Sequence, residues 1–111
     1  MGTKIQEDIS VIEKIDLKEP SKYNVIIHDN PITSFEEVIF IVSRCFEKTE
    51  QEAEQIAQKV HLEHRGVCGT YTKEIAETKL VIVAMAKEFL IKNFPSRATS
   101  ITALKFTLEE A

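Results

Sequence analysis

The sequence predicts one two-layer α+β domain, in which helices pack on a small sheet in the order β-α-α-β-α-β, behind a flexible N-terminal arm. Three observations support this fold class. The 111 residues suffice for one compact domain, and 43% of them are apolar, which is enough for a buried core. Polar capping motifs open apolar stripes of helical period. Short apolar runs bounded by turn residues indicate strands.

The arm and the first strand occupy the beginning of the chain. Many charges interrupt the apolar residues of 1–22, and Pro20 stands near the end of this stretch. We therefore assign residues 1–22 to the arm and residues 23–111 to the core domain. The run Val25–Ile27 predicts a short strand, which the turn-forming sequence Asp-Asn-Pro at 29–31 ends.

Two capping boxes predict the first two helices. Thr33 and Glu36 stand three residues apart before a broad apolar stripe, which indicates a helix start at this point. Thr49 and Glu52 have the same spacing before a narrower stripe. We expect Gly66 to end that second helix.

The second half of the chain predicts one long helix between two strands. Residues 67–71 are the second strand candidate, and Thr72 caps a helix over residues 73–94. We expect residues 96–100 to form a loop. Apolar and polar residues then alternate over 104–108, which indicates a half-buried C-terminal strand.

Charge and composition exclude several classes of partner. The net charge of −4 argues against nucleic acid and against anionic membrane surfaces. The longest apolar run, residues 80–86, is too short to cross a bilayer, and the polar, acidic beginning resembles no signal or transit peptide. Cys45 and Cys68 follow no spacing motif and predict buried thiols in a reducing cytoplasm. The sequence thus predicts a cytoplasmic protein with no nucleic-acid or membrane partner.

No motif predicts catalysis, a metal or a cofactor. His61 and His64 lie three residues apart with Cys68 close behind, but the further ligands of a zinc site are missing. Histidines near a helix end are the ordinary interpretation of this pattern. Neither cysteine has the neighbours of a nucleophilic site, and the sequence contains no serine elbow, phosphate-binding glycine loop or paired-carboxylate motif. We therefore expect a protein that is not an enzyme.

The stretch from Asp29 to Thr33 places an acid, an amide and a hydroxyl between the first strand and the first helix. These residue types most often form a turn and a helix cap. They also suit a second use, because fixed acceptors beside an apolar hollow can bind an α-amino group joined to a hydrophobic side chain. The residues alone favour the first use and leave the second open.

Residues 23–111 resemble the ClpS family, the adaptors of the ATP-dependent Clp protease. Three segments carry the resemblance: YNVIIHDNPITSFEEV at 23–38, Val60-His61 together with VCGTYTKEIAETK at 67–79, and TLEEA at 107–111. The resemblance implies the fold order predicted above. It also implies a non-enzymatic adaptor that delivers proteins with bulky hydrophobic N-terminal residues (N-degrons) to a Clp ATPase–protease.

The resemblance further implies a set of substrate-binding residues. The N-terminal amine would be bound by Asp29, Asn30 and His61. A hydrophobic pocket would be formed by Thr33, Phe35, Val38, Phe40, Ala57, Val60 and Leu104. The accepted N-terminal residues are expected to be Phe, Leu, Tyr and Trp.

A second set would bind the partner. Glu74 and Lys79 match positions that dock on the N-terminal domain of the Clp ATPase, and both are expected on the polar side of the third helix. The ATPase would engage the arm during delivery. The free protein is expected to be a monomer.

The chain departs from the family pattern in three places. The family usually has Asn-Asp where this chain has Asp29-Asn30, and many members have Met where this chain has Phe35 and Ala57. Extra residues around 94–101 lengthen the connection to the last strand. The main alternative is a binding domain resembling the C-terminal domain of the ribosomal stalk protein, without N-degron recognition. That alternative predicts a basic helix surface rich in glycine and alanine, unlike this acidic chain.

Overall fold

The structure, a computed structural model, describes residues 21–111. Three antiparallel strands form a sheet of order β2-β1-β3, namely β1 (Lys22–His28), β2 (Arg65–Thr72) and β3 (Lys105–Glu110). The helices are α1 (Phe35–Cys45), α2 (Glu50–Glu63), α3 (Lys73–Asn93) and the short α4 (Ala98–Ala103). The predicted α+β order is confirmed, with α4 as a further helix. The predicted arm lies outside the described residues apart from its last two, of which Lys22 begins β1.

Strand β1 is the centre of the sheet and is apolar for that reason. Val25, Ile26 and Ile27 are all buried, because β1 has a hydrogen-bonded neighbour on each side. Val25 and Ile27 point to the same face and join the main core with residues of α1, α2 and α3. Strand β2 carries one extra residue opposite Val25 and Ile26, and this bulge accompanies the burial of Cys68.

The first capping box is displaced by one residue from its predicted place. Ser34, not Thr33, is the N-cap of α1, and its partner is Glu37, not Glu36. The reason is that Thr33 is already bonded to Asn30 and belongs to the preceding turn. The second predicted box, Thr49 with Glu52, is confirmed at the start of α2.

The end of α2 also differs from the prediction. The helix ends at Glu63, and His64 rather than Gly66 takes the left-handed capping conformation, with φ of 69°. Gly66 instead pairs with Ile27 inside the sheet. A Cβ at Gly66 would lie 2.8 Å from Cγ2 of Val60, so the glycine permits the close approach of β2 to α2.

The expectation of a loop at 96–100 was wrong. A 3-10 turn at Pro95–Arg97 leads directly into α4. This segment folds because it has an inner face: Ser100 and Ile101 are buried against the domain. Lys87 of α3 secures its far end by donating a hydrogen bond to the carbonyl of Leu104 at 2.7 Å. None of the helices formed by residues 21–111 has the length and apolar character needed to span a membrane.

Candidate functional site

The recognition turn, defined here as residues 29–33, joins the end of β1 to the start of α1. Its first residue is fixed by the sheet edge: the amide of Asp29 donates to the carbonyl of His64 at 3.0 Å. The Asp29 carboxylate is one-third exposed and lies 3.3 Å from Nδ1 of His64, whose side chain is 81% exposed. The structure thus holds a carboxylate at the boundary between protein and solvent, on a fixed piece of backbone.

Asn30 has an inward role. Its amide oxygen accepts hydrogen bonds from the backbone N–H of Ile32 at 3.0 Å and the N–H of Thr33 at 2.8 Å, and it lies 2.9 Å from the hydroxyl of Thr33. Its NH₂ group donates to the carbonyl of Ala103 at 3.4 Å. An amide oxygen has two lone pairs, and the two backbone donors suffice to occupy them. The Asn30 oxygen is therefore occupied by the turn itself.

Thr33 links the recognition turn to α4. Its hydroxyl lies 2.9 Å from the Asn30 amide oxygen and 2.8 Å from the carbonyl of Ser100, and it has one proton for these two acceptors. The side chain is half-buried. The predicted use as a turn thus describes Asn30 and Thr33, while the cap is Ser34 and the Asp29 carboxylate remains one-third exposed.

Four of the predicted pocket residues lie together. They are buried members of one core cluster, contributed by α1, α2 and the C-terminal cap of α4: Val38, Ala57, Val60 and Leu104. Phe35 is the first residue of α1 and is partly exposed, directly after the recognition turn. The apolar part of the predicted site is therefore contiguous with the core.

Phe40 lies apart from these residues. It follows Val38 by two positions, which is about 200° around a helix axis, so the two side chains leave α1 in opposite directions. The Phe40 ring lies 4.9 Å from the guanidinium carbon of Arg44. It lines a surface hollow of about 270 Å³ with Leu90, Phe94 and others, on the side of α1 that faces the end of α3. The structure does not bring Phe40 together with the other predicted pocket residues.

The two histidines at the end of α2 have different surroundings. His61 is exposed in the last turn of the helix, and no hydrogen bond to its ring is found among residues 21–111. His64, one turn further on, is the histidine that contacts Asp29. The sequence predicted ordinary histidines near a helix end and kept a zinc site as the alternative, and both side chains are exposed at the end of α2. No local pattern indicated the contact of His64 with Asp29.

The two predicted docking residues also have different surroundings. Glu74 is exposed in the first turn of α3. The Lys79 side chain is only 13% exposed, and its ammonium donates to the carbonyl of Cys45 at 3.3 Å and lies 5.6 Å from the centre of the Tyr71 ring. The expectation that both residues lie on the polar side of the helix was wrong for Lys79, because its ammonium covers the C-terminal end of α1.

The cysteines are buried free thiols, as the sequence predicted. Burial, together with the neighbouring Cys45, raises the pKa of Cys68 to about 12. Burial also raises the pKa of Cys45. Because the thiolate is the reactive form, neither sulfur is poised as a nucleophile at neutral pH. Within residues 21–111, no three His, Cys, Asp or Glu side chains gather as a metal site would require.

Comparison with solved structures concerns the fold. The fold matches that of the protein described as "The structure of Agrobacterium tumefaciens ClpS2 bound to L-phenylalaninamide", with a TM-score of 0.64 over 84% of this chain and 100% of that chain. The identity is 23%, so the match shows that the two chains share one fold.

Sequence comparison identifies the family. Residues 18–94 match the family described as "ATP-dependent Clp protease adaptor protein ClpS". The Clp protease adapter protein ClpS of Desulfotalea psychrophila is 43% identical over 96 residues, covering 86% of this chain and 92% of that protein. Its counterpart in Burkholderia mallei is 44% identical over 77 residues, covering 68% and 74%. The chain belongs to the ClpS family of ATP-dependent Clp protease adaptors, which favours the adaptor prediction over the ribosomal-stalk alternative.

Proposed function

We propose that this protein is a non-enzymatic adaptor that binds proteins through a bulky hydrophobic N-terminal residue and delivers them to a Clp ATPase–protease. The observation that carries the proposal is the recognition turn, which holds the Asp29 carboxylate at the protein surface next to the apolar start of α1. The fold neighbour from Agrobacterium was solved with L-phenylalaninamide, a molecule that combines a free amine with a Phe side chain. Family membership supplies the adaptor role.

The chemistry of an N-terminal residue suits this arrangement. A free α-ammonium has three N–H donors, which the Asp29 carboxylate and a neutral ring nitrogen of His61 can accept. Each hydrogen bond to a charged group contributes about 1.5–3 kcal/mol. Burial of a Phe or Leu side chain contributes about 1.5–3 kcal/mol more. No bond needs to be made or broken, which agrees with the protonated state of both thiols.

The shape of the pocket follows from its apolar residues. Ala57 is smaller than the Met of many relatives, and Phe35 is the exposed first residue of α1, directly after the recognition turn. A pocket reshaped in this way would accept flat aromatic side chains more readily than β-branched ones. We therefore expect N-terminal Phe, Tyr and Trp to bind better than Val or Ile.

The experiment that tests the proposal compares two peptides with fluorescence anisotropy. A peptide beginning with Phe should bind, and the same peptide with an acetylated N-terminus should bind at least tenfold more weakly, because each polar group left unpaired costs about 1–3 kcal/mol. A free-amine peptide beginning with Ser is the control for the apolar contribution. Equal affinity for the free and acetylated Phe peptides would reject N-terminal recognition.

The partner surface belongs to the same proposal. The N-terminal domain of the Clp ATPase would contact the first turn of α3, where Glu74 and Ile75 are exposed. Lys79 would stabilise the part of α3 that carries this surface, through its hydrogen bond to the last residue of α1. Residues 1–22 would be the segment that the ATPase engages during delivery. A cytoplasmic location and a monomeric free state complete the proposed picture.

A further inference from the structure

We propose that the segment Pro95–Ala103, called here the clamp, holds the recognition turn in its binding conformation, with Ser100, Arg97 and Glu37 as positioning residues for the N-terminal amine. This inference rests on the proposed function and assigns a role to residues that neither the sequence patterns nor the family resemblance included in the site. The clamp begins immediately after residue 94, where the match to the family model ends.

The clamp makes two hydrogen bonds and one further close contact with the recognition turn. The carbonyl of Ala103 accepts from the Asn30 amide at 3.4 Å, and the carbonyl of Ser100 accepts from the Thr33 hydroxyl at 2.8 Å. The Ser100 hydroxyl lies 3.0 Å from the carbonyl of Ile32. These partners are 67 to 73 residues apart in the chain, so the contacts fasten the turn to a distant element.

Ser100 is the centre of this connection. It is 5% exposed and is the only polar residue in the buried class among residues 21–111. Its hydroxyl lies 2.5 Å from the Glu37 carboxylate and accepts from the Arg97 guanidinium at 3.0 Å. A hydroxyl has one proton, and the shorter distance and the negative charge favour Glu37 over the carbonyl of Ile32 as its acceptor. The side chain is thus held by two charged groups at once.

Arg97 and Glu37 complete a second route to the same turn. Two guanidinium nitrogens of Arg97 reach the two Glu37 oxygens, at 2.6 Å and 3.3 Å. Glu37 also accepts from the backbone N–H of Ser34, the N-cap of α1 and the residue directly after Thr33. The clamp therefore fastens the recognition turn from inside through Asn30 and Thr33, and from its helical end through Glu37.

Neighbouring residues of the turn have different roles. The Asn30 amide oxygen accepts hydrogen bonds within the turn, and the Asp29 carboxylate lies at the surface. In this chain the amide follows the acid, and the clamp adds one bond, from the Asn30 NH₂ to the Ala103 carbonyl, to those that the amide makes within the turn. A turn that is already ordered loses less conformational entropy when the ligand binds.

The test uses the full chain with Ser100→Ala and Arg97→Gln, each measured with the free and the acetylated Phe peptide. The two substitutions remove the bonds that hold Glu37, and with it the Ser34 end of the turn, whereas the bonds to the Ser100 and Ala103 carbonyls remain. The affinity for the free amine should fall about tenfold, and the weak binding of the acetylated peptide should stay unchanged. The matched control is Thr99→Ala, an exposed neighbour of Ser100 in α4. Unchanged affinity, or an equal loss for both peptides, would overturn the inference.

A double-mutant cycle separates positioning from general stability. If Ser100 acts through the turn, Ser100→Ala should have little further effect in a protein that already carries Asp29→Asn. Fully additive effects of the two changes would contradict the inference.

Hydrogen exchange tests, without any peptide, whether Ser100 holds the recognition turn. The amide of Thr33 is bonded within the turn, so Ser100→Ala should speed its exchange while the exchange of core strand β1 stays unchanged. If the wild type fails to distinguish the two peptides, the proposed function fails, and the exchange of Thr33 still tests the clamp. Unaltered exchange at Thr33 would overturn it.

Discussion

The recognition turn and the first turn of α3 are both surface segments that enter a helix, yet they are built in opposite ways. The recognition turn is bonded through the side chains of Asn30 and Thr33 and leads into a complete capping box. At the start of α3, Thr72 makes no capping bond with its side chain, and Glu74 and Ile75 are exposed. A fixed turn suits recognition of one small charged group, whereas an open helix face suits contact with a folded partner.

Truncation of the N-terminus is expected to have the largest effect, because it should abolish delivery and leave peptide binding intact. Removing residues 1–20 should leave binding of a Phe peptide intact, because the described site begins at residue 29. The same truncation should abolish delivery, measured as degradation of a model substrate by the Clp ATPase–protease. A truncated protein that still stimulates degradation would show that docking and binding suffice.

The fixed region should respond strongly to acid. Although burial acts to raise it, hydrogen bonds from Arg97, Ser100 and Ser34 lower the pKa of Glu37 from 4.5 to about 2. A lowered pKa in the folded state stabilises the domain above pH 4.5, and this contribution of up to about 3 kcal/mol is lost as the pH falls toward 2.

Thermal unfolding of Glu37→Gln at several pH values measures this contribution. The variant should be less stable than the wild type at pH 7, and the gap should close as the pH approaches 2. Glu36→Gln, an exposed neighbour in the same helical turn, serves as the control. A gap of constant size across this range would contradict the role of the Glu37 charge.

Substitution of Asp29 should separate binding from folding. Asp29→Asn keeps the shape of the side chain and removes its charge, so affinity for a free-amine Phe peptide should fall about 10- to 100-fold. The melting temperature should change little, because the carboxylate is partly exposed and its one partner is an exposed histidine. Glu54→Gln on the exposed side of α2 is the control. An unchanged affinity in the anisotropy titration would remove Asp29 from the site.

The open region should show the smallest effect for a single residue. Glu74→Lys should weaken binding to the N-terminal domain of the Clp ATPase by about two- to fivefold, as befits an exposed charge, without altering stability. Lys79→Glu should instead destabilise the domain by about 1–3 kcal/mol, because it leaves the Cys45 carbonyl without its donor. A pull-down combined with thermal unfolding distinguishes the two, and equal stability of both variants would refute this assignment.

Patterns of neighbouring residues determined most of the secondary structure. The run Val25–Ile27 defined a strand, Thr49 with Glu52 defined a helix start, and helical period with a closing proline defined α3. Each of these signals acts over a few residues, and the packing of the domain reinforces it. The family resemblance likewise depends on contiguous segments and was confirmed by the match over residues 18–94.

Only the tertiary structure decided how the polar residues are used. The sequence pattern predicted Thr33 as the cap of α1, but contacts of Thr33 with Asn30 and Ser100 place it in the preceding turn, and Ser34 is the cap. The helical pattern predicted that Lys79 lies on the surface. In the fold its side chain is largely covered, because its ammonium bonds to the Cys45 carbonyl at the end of α1. Hydrogen bonds between residues dozens of positions apart leave no local period in a sequence, because they depend on where two elements meet in space. For that reason the family resemblance in the sequence predicted which turn binds a substrate, whereas the long-range hydrogen bonds of that turn to Ser100 and Ala103 are visible only in the fold.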